Sequence, residues 1–484
     1  MSSRALIRAL CRLLPSEAVL TELEELKAYE CDGLSAYRCR PQVVVLPQTV
    51  QQVQAVLAWC CAHDVPVVAR GAGTGLSAGA LPLENGVLLC LTRLNRILAL
   101  DPKNRFARVQ PGVCNLAISQ AARPYGLYYA PDPSSQIACT IGGNVAENAG
   151  GVHCLKYGLT VNNVLGLGFL TMAGEEVKVG SDGLDGPGLD ILALMHGSEG
   201  LLGVITEVTV RLLPLPESAR MVLAAFDSVA AAAEAVGAVI RAGLIPAGLE
   251  LMDRTTIEVV EEFIHPGYPL GAEAILLCEV DGFAAQVEEE LALAQKVLKE
   301  SGAFEVRIAR DEAERQRFWA GRKAAFPAVG RITPDYYCMD GTIPRHRLAE
   351  VLTAIAKLSQ KYGLKVANVF HAGDGNLHPL IMYDAEVPGE LERVERLGDE
   401  ILALCVKVGG TITGEHGVGV EKLGGMCYQF SLKELSQFHA VKRAFDPMGL
   451  LNPGKAIPTL ARCVELGRAH VHRGQLSHPE LERF

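Results

Sequence analysis

Residues 131–151 read PDPSSQIACTIGGNVAENAGG, and this stretch decides how the first part of the chain is interpreted. Two glycine pairs, Gly142-Gly143 and Gly150-Gly151, lie within ten residues, with small polar side chains around them. A packed core does not need so many glycines, whereas a backbone that approaches a ligand closely does. The stretch therefore predicts a segment that wraps around a flat, polar ligand.

Two further glycine-rich turns support this interpretation. The turn at residues 71–75 (GAGTG) follows an apolar run, and its amide groups suit a pyrophosphate, although tight turns also need glycine. It is not a Rossmann fingerprint, because Pro82 and Gly86 interrupt the segment where a helix would follow. It is not a Walker loop either, because no lysine followed by serine or threonine is present. Residues 197–200 (GSEG) form the third turn.

The composition limits the class of protein. The chain has 484 residues, of which 49% are hydrophobic and 21% charged, so an ordered protein with more than one core is expected. Its net charge is −10, and it has no basic cluster of the kind that binds nucleic acid. No apolar run is long enough to cross a membrane. The 14 cysteines are scattered, so we expect reduced thiols rather than disulfides or ligands of an iron–sulfur cluster.

Strand-like and helix-like patterns alternate along the chain. Val43–Leu46 predicts a buried strand, and Thr49 is a suitable cap for a helix that runs to about His63. Later, the segments 229–242 and 284–300, rich in alanine and glutamate, predict helices between short strands. The chain is therefore predicted to be an α+β protein.

The division into domains follows from a change of pattern. Pro214 and Pro216 separate the glycine-rich part from the later alternation of strands and helices, which favours a ferredoxin-like second domain. We predict a first domain over 1–216, a second domain over 217–430, and a C-terminal segment over 431–484 that packs back on the first domain.

A second set of residues points to metal chemistry. His371 and His378 are seven residues apart with two glycines between them, and Glu415-His416 is flanked by glycines. The bent backbone at both motifs lets their side chains converge. Two imidazoles and a carboxylate, from His371, His378 and Glu415, are a suitable ligand set for Zn²⁺, Mn²⁺ or Fe²⁺. The alternative is a polar turn in which a histidine caps the end of a strand.

Several stretches together carry a resemblance to a known family. They are residues 29–37 (YECDGLSAY), 131–158 (PDPSSQIACTIGGNVAENAGGVHCLKYG), 330–344 (GRITPDYYCMDGTIP) and 452–455 (NPGK). The first part of the chain resembles the flavin-binding (PCMH-type) domain of the vanillyl-alcohol-oxidase/p-cresol-methylhydroxylase superfamily. Over nearly its full length the chain is similar to the flavoprotein subunits of bacterial glycolate oxidases, which are related to D-lactate and D-2-hydroxyglutarate dehydrogenases.

The resemblance implies FAD as the cofactor. It is expected to be non-covalent, because the histidine that tethers the flavin in some relatives is absent between Arg70 and Gly79. The residues implied at the pyrophosphate are Arg70, Gly71, Ala72, Gly73, Thr74, Gly75, Leu76 and Ser77. Those implied at the flavin and the ribityl chain are Pro131, Asp132, Thr140, Gly142, Gly143, Asn144, Asn148, Gly150 and Gly151. Glu199, Val204 and Ile205 are implied at the adenine side, and Asn452 at the isoalloxazine.

The resemblance also implies that His371, His378 and Glu415 bind a divalent metal beside the flavin. His416 is then the expected base, since a neutral imidazole accepts protons near neutral pH. The guanidinium of Arg322 suits a substrate carboxylate, although a surface arginine is the alternative. Relatives that act on dicarboxylates carry a lysine where this chain has Cys338, which argues against a dicarboxylate and leaves the role of Arg322 open. His153 is expected either at the flavin or as the cap of a turn.

The activity implied by the resemblance is FAD-dependent oxidation of glycolate to glyoxylate, in which a hydride passes from the 2-hydroxyacid to flavin N5. The alternatives are a D-lactate dehydrogenase of the same family and a flavin-binding scaffold subunit without catalysis. The implied partners are a second flavin-type subunit and an iron–sulfur subunit, which would pass the electrons on to an acceptor. The expected location is the cytoplasm, at most peripheral at the inner face of the membrane.

Overall fold

The computed structural model describes residues 2–183, 186, 188–459 and 463. The strands are β1 (Val19–Leu20), β2 (Val43–Val45), β3 (Val67–Arg70), β4 (Val87–Cys90), β5 (Ile97–Asp101), β6 (Phe106–Val109), β7 (Leu127–Tyr128), β8 (Val164–Leu170), β9 (Glu176–Gly180), β10 (Val204–Arg211), β11 (Leu213–Pro214), β12 (Ser218–Phe226), β13 (Gly248–Asp253), β14 (Ala274–Gly282), β15 (Glu305–Ile308), β16 (Asp335–Cys338), β17 (Val366–His371) and β18 (Asn376–Tyr383).

The α-helices are α1 (Ser3–Leu13), α2 (Leu23–Lys27), α3 (Val50–Ala62), α4 (Asn115–Ala122), α5 (Ile141–Glu147), α6 (Cys154–Tyr157), α7 (Ile191–Met195), α8 (Val229–Arg241), α9 (Arg254–Ile264), α10 (Ala284–Glu300), α11 (Glu312–Lys323), α12 (Ala325–Val329), α13 (Leu348–Tyr362), α14 (Glu390–Lys407), α15 (Leu423–Gln429) and α16 (Leu432–Phe445). Short 3₁₀ helices cover Ser16–Ala18, Arg123–Tyr125, Thr160–Asn163 and Arg345–Arg347.

The N-terminal part of the chain contains two sheets. In the first, β2, β4 and β3 are parallel and β1 pairs antiparallel with β2. The second is antiparallel, in the order β5-β6-β10-β8-β9. Leu170 and Val204 of the second sheet share a core with the valines of the first, so the two sheets pack together. As predicted, Thr49 caps α3 by accepting a hydrogen bond from the amide of Gln52.

A seven-stranded antiparallel sheet follows, in the order β15-β12-β14-β13-β17-β18-β16. The strands β12 to β15 alternate with helices and lie in the order four-one-three-two, which confirms the predicted ferredoxin-like arrangement. The strands β16 to β18 extend this sheet where β13 pairs with β17, at Leu251 with Phe370 and Met252 with Val369. A single sheet therefore carries both predicted histidine ligands, His371 at the end of β17 and His378 in β18.

Helices cover both faces of this sheet, so its central strands are buried on both sides. The helices α8, α10, α13 and α14 pack on one face in a large apolar core. The helices α9, α11 and α12 pack on the other face, where Leu76 and Val152 of the N-terminal part also contribute. This second face therefore meets the glycine-rich segments, and the candidate site lies at that contact.

The described part of the C-terminal segment contacts the N-terminal part of the chain. The ammonium group of Lys442 donates to the carbonyl oxygen of Leu201 at 2.7 Å, and the amide of Asn452 donates to the carbonyl of Val67 at 2.8 Å. The remainder of the predicted segment, 460–484, lies outside the described residues except for Cys463.

The expectation that all cysteines are reduced is wrong for one pair. Cys427 of α15 and Cys463 form a disulfide, with Cα atoms 5.3 Å apart, and both side chains are buried. They are 36 residues apart in sequence, so no close spacing indicates the pairing. The other twelve cysteines are free. Among the helices that the structure describes, none has both the length and the apolar composition that crossing a membrane requires.

Candidate active site

A cavity of about 390 Å³ lies where the glycine-rich segments meet the seven-stranded sheet. Thirteen of the residues predicted to bind flavin line it: Arg70, Gly71, Ala72, Gly73, Thr74, Gly75, Leu76, Thr140, Gly142, Gly143, Asn144, Glu199 and Ile205. His378, Glu415 and His416, predicted for the metal and the base, line the same cavity. Two sets of residues from distant parts of the sequence are thus brought together around one space.

The cavity wall has features that fit a flat ligand carrying its own polar groups. Gly143 lines the cavity without a side chain, and a Cβ added there would be in ordinary contact with Oγ1 of Thr140, at 3.4 Å. That Oγ1 atom and Oδ2 of Asp32 are buried and have no hydrogen-bond partner within the described part of the chain. Buried polar atoms without partners are uncommon in folded proteins, so both point to groups that a ligand supplies.

The other residues predicted to bind flavin do not line the cavity. Asn452 donates from its side-chain amide to the carbonyl oxygens of Gly79 and Glu199, at 3.0 and 2.6 Å, so it holds two cavity segments together. The side chain of Asn148 accepts a hydrogen bond from the amide of Val161. Outside the lining lie Ser77, Pro131, Asp132, Asn148, Gly150, Gly151, Val204 and Asn452.

The predicted metal ligands converge at one end of the cavity. His371 is the last residue of β17 and His378 lies in β18, and the tight turn between them contains Gly375 at a positive φ of 82°. Oε1 of Glu415 lies 3.3 Å from Nε2 of His371 and 2.9 Å from Nε2 of His378. One ligand atom of each residue lies within 4.8 Å of the others, so the group has the chemistry and the size to hold a divalent cation.

Asp340, which the sequence interpretation missed, holds the segment that carries Glu415 and His416. Its Oδ2 accepts hydrogen bonds from the amides of Gly414 and His416, at 3.0 and 2.9 Å, and from the hydroxyl of Thr413 at 2.6 Å. Its side chain is completely buried. A carboxylate that accepts several amide hydrogens in this way fixes the backbone, and through it the direction of the two side chains.

Glu250 is the second residue that the sequence interpretation missed. It lies in β13, is 0% exposed, and places Oε1 2.9 Å from Nδ1 of His371 and Oε2 2.6 Å from Nε of Arg322. A carboxylate only accepts, so Nδ1 of His371 carries the proton and Nε2 is directed at Glu415. Burial by itself would lower the pKa of His371, but the carboxylates of Glu250 and Glu415 raise it well above its ordinary value.

Arg322 is buried behind this group and does not line the cavity. Its Nε is engaged by Glu250, whereas both terminal nitrogens of the guanidinium are buried without a hydrogen-bond partner among the residues of known placement. The alternative of a surface arginine is therefore wrong, because the residue is only 1% exposed. Two adjacent donors without acceptors are the arrangement that a carboxylate satisfies.

His416 lines the cavity beside the predicted metal ligands. Its ring stacks on that of His378, with centroids 5.0 Å apart and planes within 4° of parallel. Burial lowers its pKa to about 4, so the imidazole is neutral at neutral pH. A neutral ring at the cavity wall is able to accept a proton.

His153 lies away from the cavity lining, in contact with both halves of the molecule. Its Nδ1 is 2.8 Å from Oδ2 of Asp132 and its Nε2 is 3.3 Å from Oε1 of Glu279, which belongs to β14. Arg315 and Trp319 contact the other oxygen of Glu279. The residue therefore bridges the segment that begins with Pro131 to the seven-stranded sheet.

Comparison with known proteins gives matches over most of the chain. Residues 41–180 match the family described as "FAD binding domain", and residues 215–456 match "FAD linked oxidases, C-terminal domain". The chain is 64% identical to glycolate oxidase subunit GlcD of Escherichia coli (strain K12), over 99% of this chain and 96% of that protein.

Two further proteins are more distant. The chain is 34% identical to a D-lactate dehydrogenase of Anaerostipes hadrus, over 88% of this chain and 91% of that protein. The solved structure of p-cresol methylhydroxylase with substrate bound has a TM-score of 0.78 at 18% identity, over 95% of this chain and 97% of that chain. At this identity the likeness shows the fold alone, and it confirms the predicted α+β arrangement.

Proposed function

The chain belongs to the family of FAD-linked oxidases, and on that premise we propose that it oxidises glycolate to glyoxylate as the flavin-binding subunit of a glycolate oxidase. The observation that carries the proposal is the single cavity lined by the glycine-rich segments together with His378, Glu415 and His416. The near full-length identity of 64% with a glycolate oxidase subunit supports the choice of substrate. A scaffold role without catalysis is disfavoured, because the complete set of residues suited to catalysis lines or adjoins this cavity.

FAD is proposed to bind non-covalently in this cavity, with the glycine-rich turn at 71–75 along the pyrophosphate and Gly143 facing the ring system. The Thr140 hydroxyl, which has no hydrogen-bond partner among the described residues, supports this placement, as does the position of Gly143 in the cavity lining. No histidine lies in the first glycine turn, so a covalent tether there is not expected. The residues predicted to bind flavin that lie outside the lining are proposed to shape the segments that do line it.

A divalent metal of the Zn, Mn or Fe class is proposed to bind to His371, His378 and Glu415. Both imidazoles direct Nε2 at the same carboxylate oxygen of Glu415, as the distances of 3.3 and 2.9 Å indicate. Burial would raise the pKa of Glu415, but its contacts with His371 and His378 lower it well below its ordinary value. The carboxylate therefore stays ionised, which is the state that binds a cation.

When bound, FAD supplies the two-electron acceptor and the metal supplies a Lewis acid for the hydroxyl oxygen. Arg322 is proposed to bind the substrate carboxylate through its two unpartnered nitrogens, while Glu250 holds the guanidinium from behind. His416 is proposed to accept the hydroxyl proton on its neutral imidazole. Asp340 keeps His416 in place by accepting a hydrogen bond from its backbone amide.

The domain limits and the partners complete the proposal. We retain a flavin-binding domain over 1–216, a substrate domain over 217–430 and a C-terminal segment over 431–484. The E. coli relative is named as a subunit, which supports an assembly with other chains. A second flavin-type subunit and an iron–sulfur subunit are the proposed electron carriers, in the cytoplasm or at the inner face of the membrane.

The decisive experiment is anaerobic mixing of the purified, flavin-loaded protein with glycolate. Loss of the oxidised flavin absorbance within seconds, with glyoxylate formed in equal amount, is the expected result. A flavin that remains oxidised under saturating glycolate would contradict the proposal. Glycine is a suitable control compound, since it keeps the carboxylate and replaces the hydroxyl by an amine.

D-lactate oxidation is the second candidate, favoured by the 34% identity with a D-lactate dehydrogenase. The two substrates differ by one methyl group, for which a pocket discriminates by about 1–3 kcal/mol. The ratio of kcat/KM for glycolate and D-lactate separates the candidates. A ratio in favour of D-lactate would move the assignment to this second activity.

A further inference from the structure

A second group of possible metal ligands lies beside the first. Cys338 is the last residue of β16, which pairs with β18, the strand that carries His378. One ligand atom each of Cys338, His378 and His416 lies within 4.8 Å of the other two. The group therefore shares His378 with the proposed catalytic metal site but uses a thiol in place of a carboxylate.

One ring nitrogen of each histidine in this group is available for a ligand. Nε2 of His378 contacts Glu415, whereas its Nδ1 is buried and has no hydrogen-bond partner in the part of the chain that the structure describes. Nδ1 of His416 is also buried, and it too has no hydrogen-bond partner among the described residues. The thiol of Cys338 has one weak contact, 3.4 Å from the carbonyl oxygen of Met339. A buried polar atom left without a partner costs about 1–3 kcal/mol, so a ligand that satisfies two of them is favoured.

We propose that Cys338, His378 and His416 form a second metal site, which takes a thiophilic divalent cation of the Zn²⁺ and Cd²⁺ class. One thiolate and two imidazoles are ligands that such ions prefer, whereas the harder Mg²⁺ and Mn²⁺ prefer oxygen. Binding at the second site releases the thiol proton of Cys338, and with both sites filled His378 would bridge the two ions as an imidazolate, through Nε2 to the first and Nδ1 to the second, with its ring proton released to solvent. The carboxylate of Asp340, 3.9 Å from Nδ1 of His378, adds a buried negative charge beside the cation.

Occupancy of this site is expected to move His416. A metal lies in the plane of an imidazole that binds it, but the rings of His378 and His416 are parallel within 4°. One ring must therefore turn. The ring of His378 is held by the contact of its Nε2 with Glu415, whereas Nδ1 of His416 has no hydrogen-bond partner among the described residues, so His416 is the ring expected to turn. Turning the ring takes the proposed base away from the substrate, so the second metal is expected to inhibit. This inhibition rests on the proposed function, whereas the binding does not.

The test is a titration of the purified, flavin-loaded protein with Cd²⁺ alone. Bound cadmium is counted by equilibrium dialysis, and the ultraviolet charge-transfer band of a cadmium–thiolate bond reports the sulfur ligand. We expect Cys338→Ala to lose this band and one bound ion. The affinity at this site should fall by at least the roughly 10- to 100-fold that loss of an outer-shell partner costs. Cys60→Ala, which removes a buried thiol from the N-terminal core, should behave like the wild type.

Retention of the band and of the bound ion in Cys338→Ala would overturn the proposal. His416→Asn is the second variant, because it keeps the thiol and the whole ligand set of the first site. A cadmium–thiolate band of wild-type strength and affinity in His416→Asn would equally contradict the site. If the wild type is not reduced by glycolate, the proposed function fails while the cadmium titration still decides the site. If the proposed function and the second metal site are both confirmed, Cd²⁺ should inhibit flavin reduction strongly in the wild type and much less in Cys338→Ala.

Discussion

Glu250→Gln is the substitution that tests the arrangement of the site most directly. The carboxylate accepts from two buried donors, Nδ1 of His371 at 2.9 Å and Nε of Arg322 at 2.6 Å. An amide of the same shape has one accepting oxygen and one donating nitrogen, so one of the two partners must face a donor. The substitution also leaves the guanidinium of Arg322 buried without its counter-charge.

Two effects of different size follow from these contacts. Removal of one partner from a buried ion pair costs about 3–5 kcal/mol, so the free energy of unfolding should fall by that amount. Loss of the carboxylate behind a metal-binding histidine lowers metal affinity by roughly 10- to 100-fold, which corresponds to about 1.4–2.8 kcal/mol. Burial would raise the pKa of Glu250, but His371 and Arg322 lower it. The contacts of Glu250 with His371 and Arg322 therefore stabilise the protein at pH values above the ordinary pKa of a glutamate. This contribution is lost as the pH falls below that pKa and through the lower pKa of the folded state.

The chain offers a closely matched control in Glu279→Gln. Glu279 lies in the neighbouring strand β14, is 3% exposed, and also bridges a histidine and an arginine, His153 at 3.3 Å and Arg315 at 2.6 Å. Both variants should lose a similar free energy of unfolding in urea titrations. Only Glu250→Gln should lose metal affinity, measured by dialysis against buffered metal with flavin content as the check on folding.

One result would refute this reasoning. If Glu250→Gln binds metal as tightly as Glu279→Gln and the wild type do, Glu250 does not orient a metal ligand, and the contact with His371 serves folding alone. Equal losses of metal affinity in both variants would show that the effect comes from general destabilisation. The double variant Glu250→Gln with His371→Ala provides a further check, since coupled residues give less than the sum of their separate losses.

The remaining predictions concern the cofactors and the base. Denaturation followed by filtration should release all yellow colour from the polypeptide, and Gly143→Trp should prevent flavin binding, because the indole would occupy the cavity that residue 143 lines. His378→Ala should lose the bound metal by elemental analysis while it keeps flavin, and unchanged metal content would exclude His378 as a ligand. His416→Asn should keep flavin and the metal bound by His371, His378 and Glu415, but slow flavin reduction by roughly two to four orders of magnitude. Loss of this first metal in His416→Asn would instead identify His416 as one of its ligands, and near-normal reduction with this metal retained would exclude His416 both as the base and as a ligand of that ion.

Much of the fold is predictable from the sequence where periodicity and caps agree. The helix predicted over 284–300 is observed with the same limits, and the one predicted over 229–242 ends one residue earlier. In contrast, β18 gives no usable pattern, because all eight of its residues are buried and alternation between polar and apolar positions is absent. Pro379 adds to the difficulty, since proline is rare in a central strand. The strand forms because helices and neighbouring strands bury both of its faces.

The sequence predicts those residues of the site that lie close to several glycines in the chain. His371, His378 and Glu415 were predicted as one ligand group, and the structure brings them to within contact of one another. Glu250 carries no such mark, because a glutamate between leucines in GLELMD has the pattern of a residue that faces solvent. It is buried because β13 is covered on both faces. The disulfide between Cys427 and Cys463 was missed for a similar reason, since only tertiary structure brings those two residues together.

Two glycines, Gly150 and Gly417, have a steric explanation where the N-terminal part of the chain meets the predicted metal ligands. A Cβ at Gly150 would lie 2.6 Å from Oε2 of Glu415 and 3.3 Å from the sulfur of Cys154. Glu415 cannot readily move aside, because both His371 and His378 contact its other oxygen. A Cβ at Gly417, where φ is +82°, would likewise collide with the side chains of Glu147 and Glu199. These glycines are thus required where the predicted metal ligands approach the glycine-rich segments, because a larger residue at either position would collide with carboxylates that line the cavity.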